Sequence, residues 1–284
     1  MKKIAAAILV VWSALVCTAF APFYVPAINV VSAPSNPCAS LDSSTVALVA
    51  RMTVDPGCPR KLVINNLIVS LKTAGVWSKL DVLYLFAAHN SQAALLNWVS
   101  TSHNATAVNS PAFTADYGFT GNGSNAYIDA NFNPSTVVGA NFVRNSAHIS
   151  VRVNDRVVNY NYAVGSDNNR YNILVADYFY GGYANYSMAS SIPSGAVAVT
   201  NSVGLWLARR SASNATNLFV RGSVVQTSTQ TSSAVDSTAM YFLRYVNNYF
   251  GNGIASGSIG GSLTDTEVAD FNTAISTYMT AVGL

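Results

Sequence analysis

"VGLWLARRSASNATNLFVRGSVVQTST", residues 203–229, decides the fold class. An apolar run around Trp206 breaks at the polar turn Ser213-Asn214, resumes as "NLFV", breaks again at Gly222 and resumes as "SVVQTST". This is strand, turn, strand, turn, strand, with no helix between. Trp206, inside "GLWLA", reads as core. Segments of the same kind precede it: "FTADYGFTGNGSNAYIDANFNP" (113–134), "HISVRVND" (148–155), "YNYAVGS" (160–166), "RYNILVADY" (170–178) and "YANYSMAS" (183–190). They follow one another at the spacing of a meander, and Gly121-Asn122-Gly123-Ser124 reads as a tight turn between two alternating segments. The expected architecture is mainly β, a two-sheet antiparallel jelly-roll sandwich with short N-terminal helices and a C-terminal helix.

The flanks differ from this middle. From Leu62, residues Val63, Ile64, Leu67, Ile68 and Leu71 fall near one helical face, and Gly75 stops the helix. "DVLYLFA" (81–87) is a short buried strand or a turn of helix, and Asn90 or Ser91 can cap a second helix reaching Trp98. Trp77 and Trp98 continue apolar faces, so the entry segment 62–99 reads as scaffold. At the other end Thr264-Asp265-Thr266-Glu267 is a capping box, followed by Val268, Phe271, Ile275 and Met279 at helical spacing and by Gly283 as the stop.

With 284 residues, 50% hydrophobic and 10% charged, the chain can bury one large core or two small ones. A net charge of +3, with no basic run longer than a pair, excludes an electrostatic footprint for nucleic acid. Lys2 and Lys3, the apolar run Ile4 to Phe20 and the small-x-small ending at Ala21 read as a signal peptide over 1–21, with a hydrophobic membrane anchor as the alternative. Export or display on a particle would give a secreted, extracellular or virion-associated protein. Loss of Cys17 with the signal leaves Cys38 and Cys58 as a pair in an oxidising compartment, and a disulfide between them is expected. Residues 22–59 look linker-like, and residues 60–284 form the sandwich domain.

Three stretches carry a resemblance. "SIGGSLTDTEVADFNTAISTYMTAVG" (258–283) resembles the closing segment of concanavalin A-like, laminin G-type jelly-roll domains, and "FTGNGSNAYIDANFNPS" (119–135) resembles their early strand. The entry "LKTAGVWSKLDVLYLFAAHNSQAALLNW" (71–98), followed by 105–129, is similar to a type of such domain met in bacteriophage and prophage virion proteins. The resemblance implies a sandwich used for carbohydrate or surface recognition, but a fold does not fix a function.

Catalytic patterns are missing. Glycosidases need two carboxylates across the scissile bond, and the only glutamate, Glu267, is spent on a helix cap. No pair among the eleven aspartates sits at i, i+2 or i, i+4 on a β segment. His89, His103 and His148 are scattered, and neither G-x-S-x-G nor H-E-x-x-H occurs. No cofactor is expected. Calcium is conceivable at "GSDNNR" (165–170), where Asp167 would be the metal candidate, but a turn is the first reading.

The positive signal is tyrosine interleaved with asparagine in "YNY", "NNRYN", "DYFYGGYANY" and "RYVNNYFGNG". Sugars present C–H faces that stack on rings, and hydroxyls that pair with amides and guanidinium groups. Strand alternation puts Tyr178 and Tyr180 on one face, with Asp177 and Phe179 on the other. The candidate ligand residues are therefore Tyr180, Tyr183, Asn168, Asn169, Arg170, Asn247, Asn248 and Tyr249. The sequence predicts a non-catalytic module that binds a carbohydrate or cell-surface glycan. The alternative is a structural or assembly module that pairs with virion subunits or with its own copies, and a glycan-cleaving enzyme is a third class.

Overall fold

The computed structural model describes residues 37–158, 161–168, 170–190 and 193–284. The segment expected to be a signal or anchor, and Asn169, lie outside them. Two helices come first, α1 (Ser43–Val49) and α2 (Gly57–Thr73). Cys38 and Cys58 are joined by a disulfide that ties the chain before α1 to the first turn of α2. α2 begins five residues before the predicted Leu62, since Pro59 is tolerated in a first turn. Gly75, left-handed at φ 71°, follows its end.

Sheet A contains β1 (Leu80–Leu85), β3 (Ala112–Thr114), β4 (Gly118–Thr120), β6 (Ala147–Val153), β10 (Gly204–Ala212), β11 (Ala215–Val220), β12 (Ser223–Ser228) and β16 (Gly253–Gly260). Its order is β12-β11-β10-β6-β16-β4-β3, with β1 also paired to β16. Sheet B contains β2 (Thr106–Val108), β5 (Tyr127–Asp129), β7 (Asn161–Ser166), β8 (Tyr171–Val175), β9 (Asn185–Met188) and β13 (Met240–Phe242), in the order β2-β5-β13-β7-β8-β9. All strand pairs in both sheets are antiparallel, so the mainly β sandwich is the architecture of this chain. The stretch 203–229 supplies β10, β11 and β12 as neighbours.

"DVLYLFA" is a strand, and its continuous apolar character has a simple cause. Val82, Tyr84 and Phe86 enter the core between the sheets with Ile149, Val151, Trp206 and Phe242. Leu83 and Leu85 point the other way and join Leu205, Leu207 and Phe219 beneath α2 and the closing helix α4 (Asp265–Val282). Both faces of sheet A are covered, which removes the polar alternation of a half-exposed strand. α4 carries the expected capping box, Thr264 with Glu267, and ends at left-handed Gly283. Lys79 Nζ donates to both Glu267 oxygens at 2.6 Å, which ties the start of α4 to the start of β1.

Two local readings are corrected. The helix capped by Asn90 is one turn, α3 (Ser91–Ala94), and does not reach Trp98. Fully buried Asn97 redirects the chain: its Oδ1 accepts from Leu83 N and Val99 N at 3.1 Å, and its Nδ2 donates to Asp81 O, Ser100 Oγ and Ser102 O. The turn 121–124 joins strands of different sheets, β4 and β5, instead of closing a hairpin. Asn122 Oδ1 accepts from the amides of Ser124, Asn125 and Ala126, and this lets the chain cross over.

The tryptophans divide. Trp98 is 3% exposed and meets Tyr278 of α4 edge-on at 5.7 Å, whereas Trp77 is half-buried under Lys72. Trp98→Ala is expected to cost about 3 to 5 kcal/mol in urea denaturation. Trp77→Ala is expected to cost about half of that or less, because less of the ring leaves contact.

His148 is fully buried on β6 beneath Phe271. Its Nδ1 donates to Gly261 O at 2.6 Å, and its Nε2 accepts from Ser258 Oγ at 3.0 Å, which itself pairs with Ser150 Oγ. Burial lowers the imidazole pKa to about 4. An unfolded chain takes up this proton from about pH 6.5 downwards, and the folded one does so only near pH 4. Stability should therefore rise from pH 4 to pH 6.5 by about 3 kcal/mol from this residue. Thermal unfolding of His148→Gln across that window should lack this component of the slope.

Candidate functional site

The loop after β6 is pinned at two points. Asp155 Oδ2 accepts from Tyr117 Oη at 2.5 Å and from Gly253 N at 3.0 Å. Arg156 forms a bidentate pair with Asp177, with both bonds at 2.9 Å, and its Nη2 also donates to Thr200 O at 2.8 Å. Val157 then turns into the core between the sheets, and its amide donates to Ser202 Oγ at 2.8 Å.

Asp177 organises the facing loop. β8 stops at Val175, and Asp177 is buried just beyond it. Its carboxylate accepts from Phe179 N and from Ser202 N and Oγ, while its carbonyl accepts from Tyr180 N and Gly182 N. These bonds wind Tyr178–Tyr180 into a single 3-10 turn. The turn overturns the predicted strand alternation, which puts Phe179 on the same face as Asp177: Asp177 is buried, whereas Phe179 is 74% exposed. Tyr180 and Tyr183 stand at 44% and 49%.

The Phe179 and Tyr180 rings meet at 5.2 Å and 85°, forming a corner. The Arg156 guanidinium lies 5.1 Å from the first ring centroid and 5.5 Å from the second. Beside this corner, two residues along the loop, Val158 borders a polar cleft of about 360 Å³ lined also by Gly123, Asn161, Tyr249, Gly251 and Asn252. Asn161 Nδ2 donates to Tyr249 O at 2.8 Å and holds one wall. Loops from both sheets thus meet at one end of the sandwich and present planar rings, amides and a stacked guanidinium.

The predicted ligand residues do not converge on one place. Tyr180, Tyr183 and Tyr249 belong to this end. Asp167, Asn168 and Arg170 sit in the turn before β8, at the opposite end of that strand. Each of them has a partner there: Asp167 accepts from Arg244 Nη2 at 2.8 Å, Asn168 Nδ2 donates to Ser237 Oγ at 3.0 Å, and Arg170 Nη1 donates to Ala234 O at 2.8 Å. The Asp167 carboxylate thus faces an arginine where a calcium ion would need clustered acids. Among the described residues no group of three or more His, Cys, Asp or Glu could hold a metal ion.

Asn247 and Asn248 are exposed at the tip of a hairpin made by β14 (Arg244–Tyr245) and β15 (Asn248–Tyr249). The hairpin lies over the outer face of sheet B. Tyr245 covers Gly165, where an added Cβ would come within 2.6 Å of the ring, and Arg244 stacks 4.3 Å from Tyr241 and 4.8 Å from Tyr127. Phe179, Arg156 and Asp177 were not singled out in the sequence. The available signal was an acid closing a buried strand directly before three aromatic residues and Gly181-Gly182.

Sequence comparison finds no matching protein family and no matching curated protein. Solved structures show distant likeness. A point mutant of HCR/D shares 12% identity with a TM-score of 0.50, covering 70% of this chain and 53% of that one. Botulinum neurotoxin type C, whose cell entry depends on interaction with two ganglioside molecules, gives 12% identity and 0.48, covering 71% and 53%. Domain 4 of AbnA, an extracellular arabinanase from Geobacillus stearothermophilus, in complex with arabinotriose, gives 13% and 0.45, covering 68% and 98%. The chain thus spans about half the length of the first of these. At such identity the likeness concerns the fold alone, a two-sheet antiparallel β-sandwich, and the ligands belong to those proteins.

The Arg156 guanidinium beside Asp177 holds its carboxyl below the usual carboxylate range. A depressed pKa means that the tether contributes fully above the unfolded value, near about 3.9, and is lost as pH falls through the lower folded one. Asp177→Ala should release the 3-10 turn at neutral pH. The amides of Phe179, Tyr180 and Gly182 should then exchange with solvent faster, on the order of tenfold, with strands β10 and β11 unaffected. Site-resolved hydrogen exchange checks this.

Proposed function

We propose that the protein is a non-catalytic recognition module that holds a carbohydrate or cell-surface glycan with the loops at one end of the sandwich. The observation that carries this reading is the corner of Phe179 and Tyr180, with Tyr183 close in sequence, held outward by the pairing of buried Asp177 with exposed Arg156. Large exposed rings are held in place here at the cost of burying Asp177, where solvation would favour turning the rings inward. Ring faces accept sugar C–H groups, and the amides of Asn161 and Asn252 in the adjoining cleft suit hydroxyls.

Several observations support a binding role over cleavage. The charged carboxylates at this end, Asp155 and Asp177, are engaged by Tyr117 and Arg156. His148 and Ser258 form a hydrogen-bonded pair, but both are fully buried between sheet A and α4. A secreted or virion-associated setting agrees with the Cys38–Cys58 bond, which persists in oxidising compartments. No helix among the described residues is long and apolar enough to cross a membrane.

Incubation of the full chain with bacterial surface polysaccharides, scoring both retention and chain length, tests the reading. Retention without shortening, weakened about tenfold or more in Phe179→Ala and Tyr183→Ala, is the expected result. Shortened chains would replace it with an enzyme, and absence of retention on every polysaccharide would favour an assembly module.

A further inference from the structure

We infer that the ligand of this loop end is an uncharged saccharide, bound by stacking and neutral hydrogen bonds, and not an acidic glycan. The inference rests on the recognition reading above and deepens it. Its ground is the charge inventory of the loops that build the site. Residues 121–126, 178–184 and 249–253 contain no Lys, Arg, Asp or Glu. The loop after β6 brings Asp155 and Arg156, and the loop after β8 brings Asp177.

Each of these groups is already engaged. Asp155 is held by the Tyr117 hydroxyl and the Gly253 amide. Arg156 and Asp177 neutralise one another through two parallel bonds, the geometry in which a guanidinium and a carboxylate match best. A carboxylate or sulfate on a ligand would have to compete with Asp177 for that guanidinium. Asp177 is fully inside the protein, so losing its partner would leave a buried unpaired charge. The remaining cations near this end are Arg152, which pairs with Leu205 on β10 and so faces the helix-covered side of sheet A, and Arg221. Arg221 has no carboxylate partner, but its Nη1 donates to Asn201 O at 2.6 Å and to Val203 O at 2.9 Å, and its stem lies against Gly204. The guanidinium is thus directed onto backbone carbonyls.

What this end presents to a ligand is uncharged: the exposed Phe179, Tyr180 and Tyr183 rings, and the cleft bordered by Asn161, Tyr249 and Asn252. The outer face of Arg156 contributes a plane, already packed against two rings. Such a surface matches the C–H face of a neutral hexose or pentose unit, with amide partners alongside for its hydroxyls.

The test is calorimetric titration of the full chain at about 50 mM and about 500 mM NaCl, since added salt screens charge pairing and leaves stacking nearly untouched. One set of probes is neutral: cello-, xylo-, manno- and arabino-oligosaccharides. The other is acidic: oligogalacturonates, sialyllactose and a heparin-derived hexasaccharide. At least one neutral probe should bind with a Kd that changes less than about twofold between the two salts. Phe179→Ala, a change at an exposed ring that leaves the core intact, should weaken it by about tenfold. Preference for the acidic set, with affinity falling as salt rises, would overturn the inference while leaving recognition standing. Neutral binding indifferent to Phe179→Ala would overturn it by placing the sugar elsewhere, and no binding to either set would remove the recognition reading itself.

Discussion

Sheet A carries apolar side chains on both of its faces, and most of the architecture follows from the need to cover them. Val82, Tyr84, Phe86 and Trp206 are covered by sheet B, whereas Leu83, Leu85, Leu205, Leu207 and Phe219 are covered by α2 and α4. A two-layer sandwich would leave the second set in water, so the helices are a third layer and not an ornament at the ends of the chain. The third layer brings its own demand, because polar groups on that face lose water. His148, Ser258 and Ser150 answer one another, and Arg209 reaches Leu263 O and Asp265 while stacking 4.8 Å from Phe219.

The same covering decides where a ligand can be met. The outer face of sheet A is taken by helices, and that of sheet B is crossed by the hairpin 244–249, with Tyr245 seated on Gly165. The ends of the sandwich remain, where connecting loops emerge from a rigid body. At the end bearing Asp167, side chains tie loops to one another: Arg244 to Asp167, Asn168 to Ser237, Arg170 to Ala234. At the other end buried Asp177 is paired with exposed Arg156, and the Phe179 and Tyr180 rings pack against that guanidinium.

Much of the fold was legible because its periodicities are local. The run 203–229 shows its turns at Ser213-Asn214 and Gly222, and the capping box at Thr264 announces α4. Legibility failed where a side chain far along the sequence overrides local pattern. Asn97 ends α3 by bonding back to β1. The crossover from β4 to β5 hides inside a stretch that looks like a hairpin, because a two-residue period does not record which sheet a strand joins. The site suffered most. Tyr180 and Tyr183 are recognisable as exposed from Gly181-Gly182, but strand alternation carried past Val175, where the strand stops, puts Phe179 on the face of buried Asp177.

That error identifies what makes the site. An aspartate at the end of a buried strand is an expensive residue unless something answers its charge, and the answer here comes from Arg156, twenty-one residues earlier in the loop that leaves the other sheet. Once the pair forms, the carboxylate has lone pairs left for the amides of Phe179 and Ser202, and the backbone must curl to deliver them. The curl, not any preference of the rings, turns Phe179 outward. Arg156 then lies against the two rings it has helped to expose, so the same guanidinium that neutralises the interior also stiffens the surface. A patch built this way is preorganised: the ordering of its rings is largely met on folding, and a ligand does not have to meet it again on binding.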